Sequence, residues 1–297
     1  MLGPAMAHSS EGSRSNDLPR TPGTSMLGRK LTPAEVALIE TFVIPRYLEK
    51  FGEAVLSMML LGDRCRIAHI GCRTGYPDHE LLELRDNCSI AGVDASLAAI
   101  ELARNKAATL RRQVDLDYQV ATSYPTSLEA DSFSHAISLH PIGTVEDRRE
   151  LFSEMQRVVY PGGQALVSLP IRGSFQEIGD LFREYALKHD QGEFGRAAEA
   201  AMQSRLTVES LSDELETAGF EDVDVDVRQV TLSFESGRAF TEDPLARVLV
   251  FPELRSAMGI EDFQEPLQYL NDAIGKYWSR HDFDVSVVIG TASARKV

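Results

Sequence analysis

The sequence is poor in cysteine and in positive charge, and it contains no long apolar run. Three cysteines, an odd number, do not predict a disulfide framework. Thirty Lys and Arg against 45 Asp and Glu give a net charge of -15. This balance argues against a nonspecific DNA or RNA binder, which gains its affinity by neutralising phosphates, and against docking on anionic lipid.

The longest apolar stretches are also too short for a membrane protein. None approaches the roughly 20 residues that span a bilayer, and the segment 1–29 has no continuous apolar stretch that would predict a signal peptide. The 297 residues are 43% hydrophobic, enough to bury a sizeable core. We therefore expect a soluble, acidic, cytoplasmic protein with no nucleic-acid or membrane partner.

The composition divides the chain into three parts. Residues 1–30 are rich in Ser, Gly, Pro and charge, and we predict a disordered tail there. Residues 31–170 have the pattern of an α/β core that begins with helices, starting at an N-cap on Thr32. Residues 171–297 have the pattern of lid helices plus the last strands that complete the sheet.

Short apolar runs alternate with helical patterns from residue 65 onward, which is typical of a sheet covered on both faces. A run over 223–234 changes phase, which predicts a bulge near Arg228–Gln229. Tyr160–Gly163 is predicted to be a turn. The strands are predicted at 66–70, 89–93, 118–120, 135–139, 164–169, 223–234 and 283–289.

A glycine-containing loop, Gly71–Gly75, joins the first strand to the next helix. Glycines in such a loop let backbone N–H groups approach a ligand closely. The second strand ends at Asp94, 19 residues after Gly75, where an acid can accept both hydroxyls of a ribose. Because Arg73 stands at the second glycine position, the dinucleotide fingerprint G-x-G-x-x-G is not met.

Taken together, several segments resemble the class I S-adenosylmethionine-dependent methyltransferases over about residues 40–170 and the terminal strands. These segments are Ile70–Pro77, Gly92–Ser96, Asp131–Phe133, Val158–Gly163 and Leu215–Phe220. The resemblance implies an α/β fold: a methyltransferase-type, Rossmann-like seven-stranded sheet with helical lid insertions. It also implies S-adenosyl-L-methionine as cofactor, held by His69, Gly71, Arg73, Gly75, Asp94, Ala95 and Thr122.

Three positions depart from the family pattern. His69 stands where the family usually has an acid that holds the methionine amino group. Arg73 replaces the glycine against which the methionine portion lies, and Ala121-Thr122 stands where an acid often contacts the adenine. Gly71, Gly75 and Asp94 match, so the ribose end of the predicted site is preserved.

Two interpretations of Arg73 remain open. Its guanidinium can pair with the cofactor carboxylate or another anion, or it can turn to solvent or pair with Asp78 or Glu80 and narrow the pocket. His140 follows the fourth strand and is a candidate general base or substrate contact, although we favour a loop histidine without a role. Cys65, His69 and Cys72 lack a nearby fourth ligand, so no metal site is predicted.

Two functions follow from these residues. The first is methyl transfer from S-adenosylmethionine to a small molecule enclosed by the lid helices at 171–206 and 235–280, with alignment of the nucleophile as the main source of rate. The alternative is a non-catalytic methyltransferase-like scaffold or regulatory binding protein that has lost cofactor binding and engages a protein partner. The fold alone does not decide between them.

Overall fold

The computed structural model describes residues 24–25, 28–62, 64–84, 87–110, 115–141 and 143–297. Two short strands, Thr24–Ser25 and Gly28–Arg29, pair antiparallel before the first helix. Residues 1–23 and 26–27 of the predicted disordered tail lie outside the described residues.

A seven-stranded mixed sheet forms the centre of the fold. Its strands are β1 (Cys65–Ile70), β2 (Cys88–Asp94), β3 (Asp115–Val120), β4 (Phe133–Leu139), β5 (Val159–Pro170), β6 (Phe220–Phe234) and β7 (Phe283–Lys296). Their order in the sheet is β3-β2-β1-β4-β5-β7-β6. Strands β1 to β5 run parallel to one another, and β7 runs antiparallel between β5 and β6. The predicted seven-stranded α/β sheet is thereby confirmed.

Helices cover both faces of this sheet. On β5, Leu166 packs into one hydrophobic cluster while its neighbours Ala165 and Val167 pack into the other, as alternation along a strand requires. The helices are α1 (Pro33–Leu38), α2 (Glu49–Met58), α3 (Asp78–Leu84), α4 (Leu97–Ala108), α5 (Val145–Val158), α6 (Gln176–Lys188), α7 (Gly192–Gln203), α8 (Val208–Thr217), α9 (Gly237–Thr241), α10 (Phe251–Met258) and α11 (Gln264–Tyr277).

The first helical region is continuous from α1 to α2 through a π-helical stretch, Ile39–Leu48. It begins as predicted, with Thr32 accepting the N–H of Glu35 and the Glu35 carboxylate accepting the N–H of Thr32. The π-helical stretch contributes the buried Tyr47 to the sheet edge at which β4 ends.

The two helical regions of the second half both start from the carboxyl edge of the parallel strands. Strand β5 ends at that edge, and α6 follows it. Because β6 and β7 are antiparallel, β6 also ends there and β7 begins there. The helices α9, α10 and α11 between them are therefore anchored at the same edge as the glycine loop.

The predicted position of the bulge in strand β6 is wrong. Its register with β7 is continuous through Arg228–Gln229, and the shift falls instead between Glu221 and Asp224. Val225 therefore packs on one side of the sheet, while Leu232 packs on the other. The change of phase in the sequence marks a strand that is buried on opposite faces at its two ends.

Three further sequence expectations need correction. Tyr160–Gly163 is a four-residue irregularity inside β5 rather than a turn before it, since Phe133 pairs with Val159 and His135 with Gln164. The last strand continues past Ile289 to Lys296.

The third correction concerns the cysteines. Cys65 and Cys88 lie opposite each other at the start of β1 and β2, with their Cα atoms 4.5 Å apart, and form a disulfide. Cys72 is free and buried. The odd number of cysteines gave no indication of this single bridge.

Among the described residues, no helix combines the length and apolar character that a membrane crossing requires.

Candidate functional site

The glycine loop and Asp94 meet at the carboxyl ends of β1 and β2. The N–H of Gly71 donates to the carbonyl of Val93 over 2.8 Å. The carboxylate of Asp94 accepts the backbone N–H of Arg73 at 2.9 Å and that of Ser96 at 2.8 Å. Asp94 is only 5% exposed, and its burial raises the pKa of the carboxyl group. The loop and the ribose-position acid therefore form one unit.

Arg73 extends from this loop toward the end of β4. Its backbone has a φ of 47°, in the left-handed region that glycine occupies at lower cost. Its guanidinium donates from Nη1 to the carbonyl of Leu139 at 2.7 Å and from Nη2 to that of His140 at 2.8 Å. The predicted turn to solvent or to Asp78 or Glu80 is therefore wrong: the guanidinium bridges the ends of β1 and β4.

His69 belongs to a buried chain of polar side chains. Its Nδ1 lies 2.7 Å from Oδ1 of Asp78, and the hydroxyl of Tyr118 donates to Oδ2 of Asp78 at 2.8 Å. All three side chains are buried. Sequence reasoning placed Asp78 at the start of α3 and missed its partnership with His69, because the contact depends on the sharp loop between them.

Tyr118 also determines how closely the glycine loop can pack. A Cβ added to Gly75 would lie 2.6 Å from the Tyr118 hydroxyl, and Gly75 has a φ of +80°. A Cβ on Gly92 would lie 2.5 Å from the same ring. Both glycines therefore make room for Tyr118, which was predicted only as a member of the third strand.

His140, the predicted candidate base, is enclosed by side chains from the first helical region. Its Nε2 lies 2.9 Å from the Tyr47 hydroxyl, and its ring makes edge contacts with Tyr47 and Phe51 at centroid distances of 5.3 and 5.2 Å. Its Nδ1 is buried without a partner among the described residues. Burial first, and the charges of Arg73 and Arg205 second, hold the pKa of His140 well below its usual value, so the imidazole is neutral.

The remaining two predicted residues lie next to Asp94. Ala95 is buried directly after β2, and Thr122 is exposed two residues after β3. The N–H of Ala121 donates to the Asp94 carbonyl at 2.9 Å, which fixes the loop after β3 beside the loop after β2. All the predicted residues thus gather at the carboxyl ends of β1 to β4.

This edge combines three chemical features. Asp94 is a buried acceptor, Arg73 is a half-buried cation that makes no ion pair within the described part of the chain, and His140 is a neutral imidazole. No group of three or more metal-ligating side chains occurs among the described residues. The arrangement can hold a ligand that carries hydroxyls at one end and a negative charge at the other.

Comparisons with known proteins agree with this geometry. Residues 68–167 match the family model described as Methyltransferase domain. The chain is 28% identical over 220 residues, 70% of its length, to a malonyl-[acyl-carrier protein] O-methyltransferase of Halorhodospira halophila. It is 30% identical over 102 residues, 34% of its length, to an O-methyltransferase of Pyrenophora dematioidea.

The matched segments span 64% and 38% of those two relatives, less than two thirds of either. In fold, the chain is similar to a Haemonchus contortus phosphoethanolamine N-methyltransferase, solved with S-adenosylhomocysteine. The TM-score is 0.53 at 17% identity, over 89% of this chain and 57% of that one. Residues 68–167 thus match a methyltransferase domain, and the sheet around them has the methyltransferase-type fold that the glycine loop and Asp94 predicted.

Proposed function

We propose that this protein transfers a methyl group from S-adenosylmethionine to a small-molecule substrate enclosed by its lid helices. The observation that carries the proposal is the junction of the glycine loop with Asp94, in a domain matched by the methyltransferase family. The O-methyltransferase relatives and the N-methyltransferase fold neighbour support transfer to an oxygen or nitrogen nucleophile.

The residues at the ribose end fit the cofactor as they stand. Each Asp94 oxygen accepts one backbone N–H, from Arg73 or Ser96. A carboxylate oxygen has two lone-pair directions, so each can accept a further hydroxyl. Ala95 and Thr122 flank this position and would border the adenine.

The methionine end fits the cofactor through Arg73. The guanidinium now donates to two neutral carbonyls, and a carboxylate is a stronger acceptor because the hydrogen bond becomes charge-assisted. A rotation of the Arg73 side chain from Leu139 and His140 toward a cofactor carboxylate would exchange weaker for stronger partners. It would also open the space beside His140.

When bound, the sulfonium supplies an activated methyl group, and the chain's own task is to align a nucleophile with it. His140 lies at the end of β4, and its fixed, neutral ring can orient the substrate by hydrogen bonding through Nδ1. The helices anchored at this edge would exclude water from the reacting groups.

Calorimetric titration with S-adenosylmethionine and S-adenosylhomocysteine tests the proposal. We expect micromolar binding to the wild-type chain and at least tenfold weaker binding to Asp94→Asn, which retains the shape of the side chain but not its charge. Arg73→Met should also weaken binding of both ligands. Tighter binding to Arg73→Met would instead show that the guanidinium blocks the site.

One observation favours the second candidate, a methyltransferase-like scaffold that binds no cofactor. The Arg73 guanidinium already lies between the ends of β1 and β4, where the methionine portion would lie. If neither ligand binds the wild-type chain at millimolar concentration, the enzymatic proposal is wrong and a protein partner becomes the object of search.

A further inference from the structure

An ion pair with little solvent exposure joins the two helical lid regions and acts electrostatically on His140. Arg205, in the segment between α7 and α8, pairs through Nη1 with Oε1 of Glu253 in α10 at 2.7 Å. Its guanidinium lies over the Phe175 ring, 5.0 Å from the centroid. Arg205 is only 8% exposed, and its charge acts on both Tyr47 and His140. We call Tyr47, His140, Phe175, Arg205 and Glu253 the Arg205 cluster.

Two polar atoms of the Arg205 cluster are buried without a hydrogen-bond partner among the described residues. They are Nε of Arg205 and Nδ1 of His140. The guanidinium Nε–H can only donate, and buried donors are almost always paired in native proteins. The orphaned Nε–H of Arg205 therefore indicates a ligand group that carries acceptor oxygens, and Nδ1 of His140 is a second free polar contact for it.

The charges around His140 also favour the binding of an anion. Arg73 and Arg205 are both close enough to lower the pKa of His140. Arg205 has one carboxylate partner in Glu253, whereas Arg73 donates to carbonyl oxygens. Two guanidinium groups that share one carboxylate ion-pair partner leave a net positive charge, which an anion would balance. The presence of Glu253 favours a singly charged anion over a dianionic phosphate.

We propose that the Arg205 cluster binds the carboxylate of an acidic, partly apolar substrate, with Arg205 as the residue that selects it. The Phe175 ring lies under the Arg205 guanidinium and the Phe51 ring lies against His140, so apolar side chains border the cluster. The inference rests on the proposed methyl transfer for its catalytic meaning, because it names the substrate class of the same site. The binding preference itself is measurable without turnover.

The test compares two probes of equal shape, hydrocinnamate and its neutral amide hydrocinnamide, by calorimetry at neutral pH. Each probe is titrated into the wild-type chain with and without S-adenosylhomocysteine. We expect the acid to bind at least tenfold more tightly than the amide, since it satisfies a buried guanidinium. Equal or tighter binding of the amide would overturn the proposal, and so would failure of both probes to bind.

The two members of the ion pair provide matched variants with opposite expectations. Arg205→Gln should lose at least tenfold in affinity for hydrocinnamate and none for hydrocinnamide. Glu253→Gln should bind hydrocinnamate more tightly, because it removes the competing carboxylate. A merely structural ion pair predicts instead that both variants weaken both probes alike.

Calorimetric titration with S-adenosylhomocysteine distinguishes failure of this proposal from failure of the methyl-transfer function on which it rests. Both variants should bind that ligand as the wild type does, which also confirms that they are folded. If the wild type fails to bind it but still prefers the acid, the methyl-transfer proposal fails and the anion site stands. If the wild type binds S-adenosylhomocysteine but does not prefer the acid, the anion site fails and the methyl-transfer proposal stands.

Discussion

At the scale of single residues, the Tyr118 hydroxyl has a defined task, which is to satisfy Asp78. It donates to Oδ2 of the buried Asp78, whose other oxygen is bound to His69. We expect Tyr118→Phe to lower the free energy of unfolding by about 1–3 kcal/mol, since a buried carboxylate oxygen loses its partner. Urea denaturation measures this change.

Tyr160→Phe is the matched control for that substitution. Tyr160 is 42% exposed, so removal of its hydroxyl should leave the unfolding free energy nearly unchanged. Equal effects of the two substitutions would show that the Tyr118 hydroxyl has no stabilising role at Asp78.

His140 makes the stability of the protein depend on pH. Burial, Arg73 and Arg205 lower its pKa in the folded state. The unfolded chain takes up a proton below a pKa of about 6.5, whereas the folded chain does not, so stability is complete above about pH 6.5 and falls as the pH falls below it. The loss approaches about 1.4 kcal/mol per pH unit until the folded-state pKa is reached.

Denaturation at a series of pH values in wild type and His140→Asn checks this dependence. Asparagine tolerates the φ of 47° at this position and does not titrate. The variant should show a shallower decline below about pH 6.5, whatever its absolute stability. Parallel curves would mean that His140 becomes protonated in the folded protein.

The residues of the site were predictable, but their partners were not. The sequence identified three of them by side-chain type and by position after a strand: Arg73, Asp94 and His140. The acceptors of Arg73 are main-chain carbonyls 66 and 67 residues away, and a carbonyl has no side-chain signature. The same limit hid Arg205, which reaches the site only through a segment between two later helices.

At the scale of elements, the packing of Tyr118 against the glycine loop restricts the side chain at residue 75. Gly75→Ala should destabilise the protein more than Gly162→Ala, although both glycines have a φ near +80°. The backbone strain of about 1–2 kcal/mol is common to both, but only the Cβ at residue 75 meets the Tyr118 hydroxyl. Nothing lies within 4 Å of a Cβ at residue 162.

Thermal or urea unfolding of the two variants gives the difference directly. A cost at residue 75 no larger than at residue 162 would mean that Tyr118 moves aside freely. The Gly75→Ala variant should also show altered cofactor binding if the loop must keep its present shape.

Helix starts were predictable because the interactions that define them are local. Thr144 and Asp147 cap α5 reciprocally, as Thr32 and Glu35 cap α1. The burial of the two faces of β6 was not predictable, because an alternating pattern does not say which face of the sheet is covered at which end of the strand. Val227, for example, is 47% exposed although it belongs to the same alternating run as Val225.

At the scale of the whole molecule, β7 joins the parallel part of the sheet to β6. Its second half pairs with β5 on one side and with β6 on the other. A chain that ends at Ile289 should therefore lose cooperative unfolding, because the ladder with β5 keeps one of its seven residue pairs and the ladder with β6 loses six of its 13. Circular dichroism during denaturation measures cooperativity.

Removal of Val297 alone is the control for that truncation. Val297 is 72% exposed and follows the last paired residue, so its loss should leave the unfolding transition unchanged. A sharp transition in the chain ending at Ile289 would show that the sheet holds together without half of β7. The sequence pattern stopped the strand at residue 289, because Gly290 to Ala294 lacks the large apolar residues that mark a strand.

The position of β7 has a consequence for synthesis on the ribosome. Among the strands that the structure describes, β6 has β7 as its only neighbour in the sheet, yet almost fifty residues separate the two in the sequence. The lid helices α9 to α11 are therefore translated before β6 has a partner. Until β7 emerges, the nascent chain presents the edge of β5 and an unpaired β6, and the acidic side chains Asp222, Asp224 and Asp226 on β6 would repel a second nascent copy.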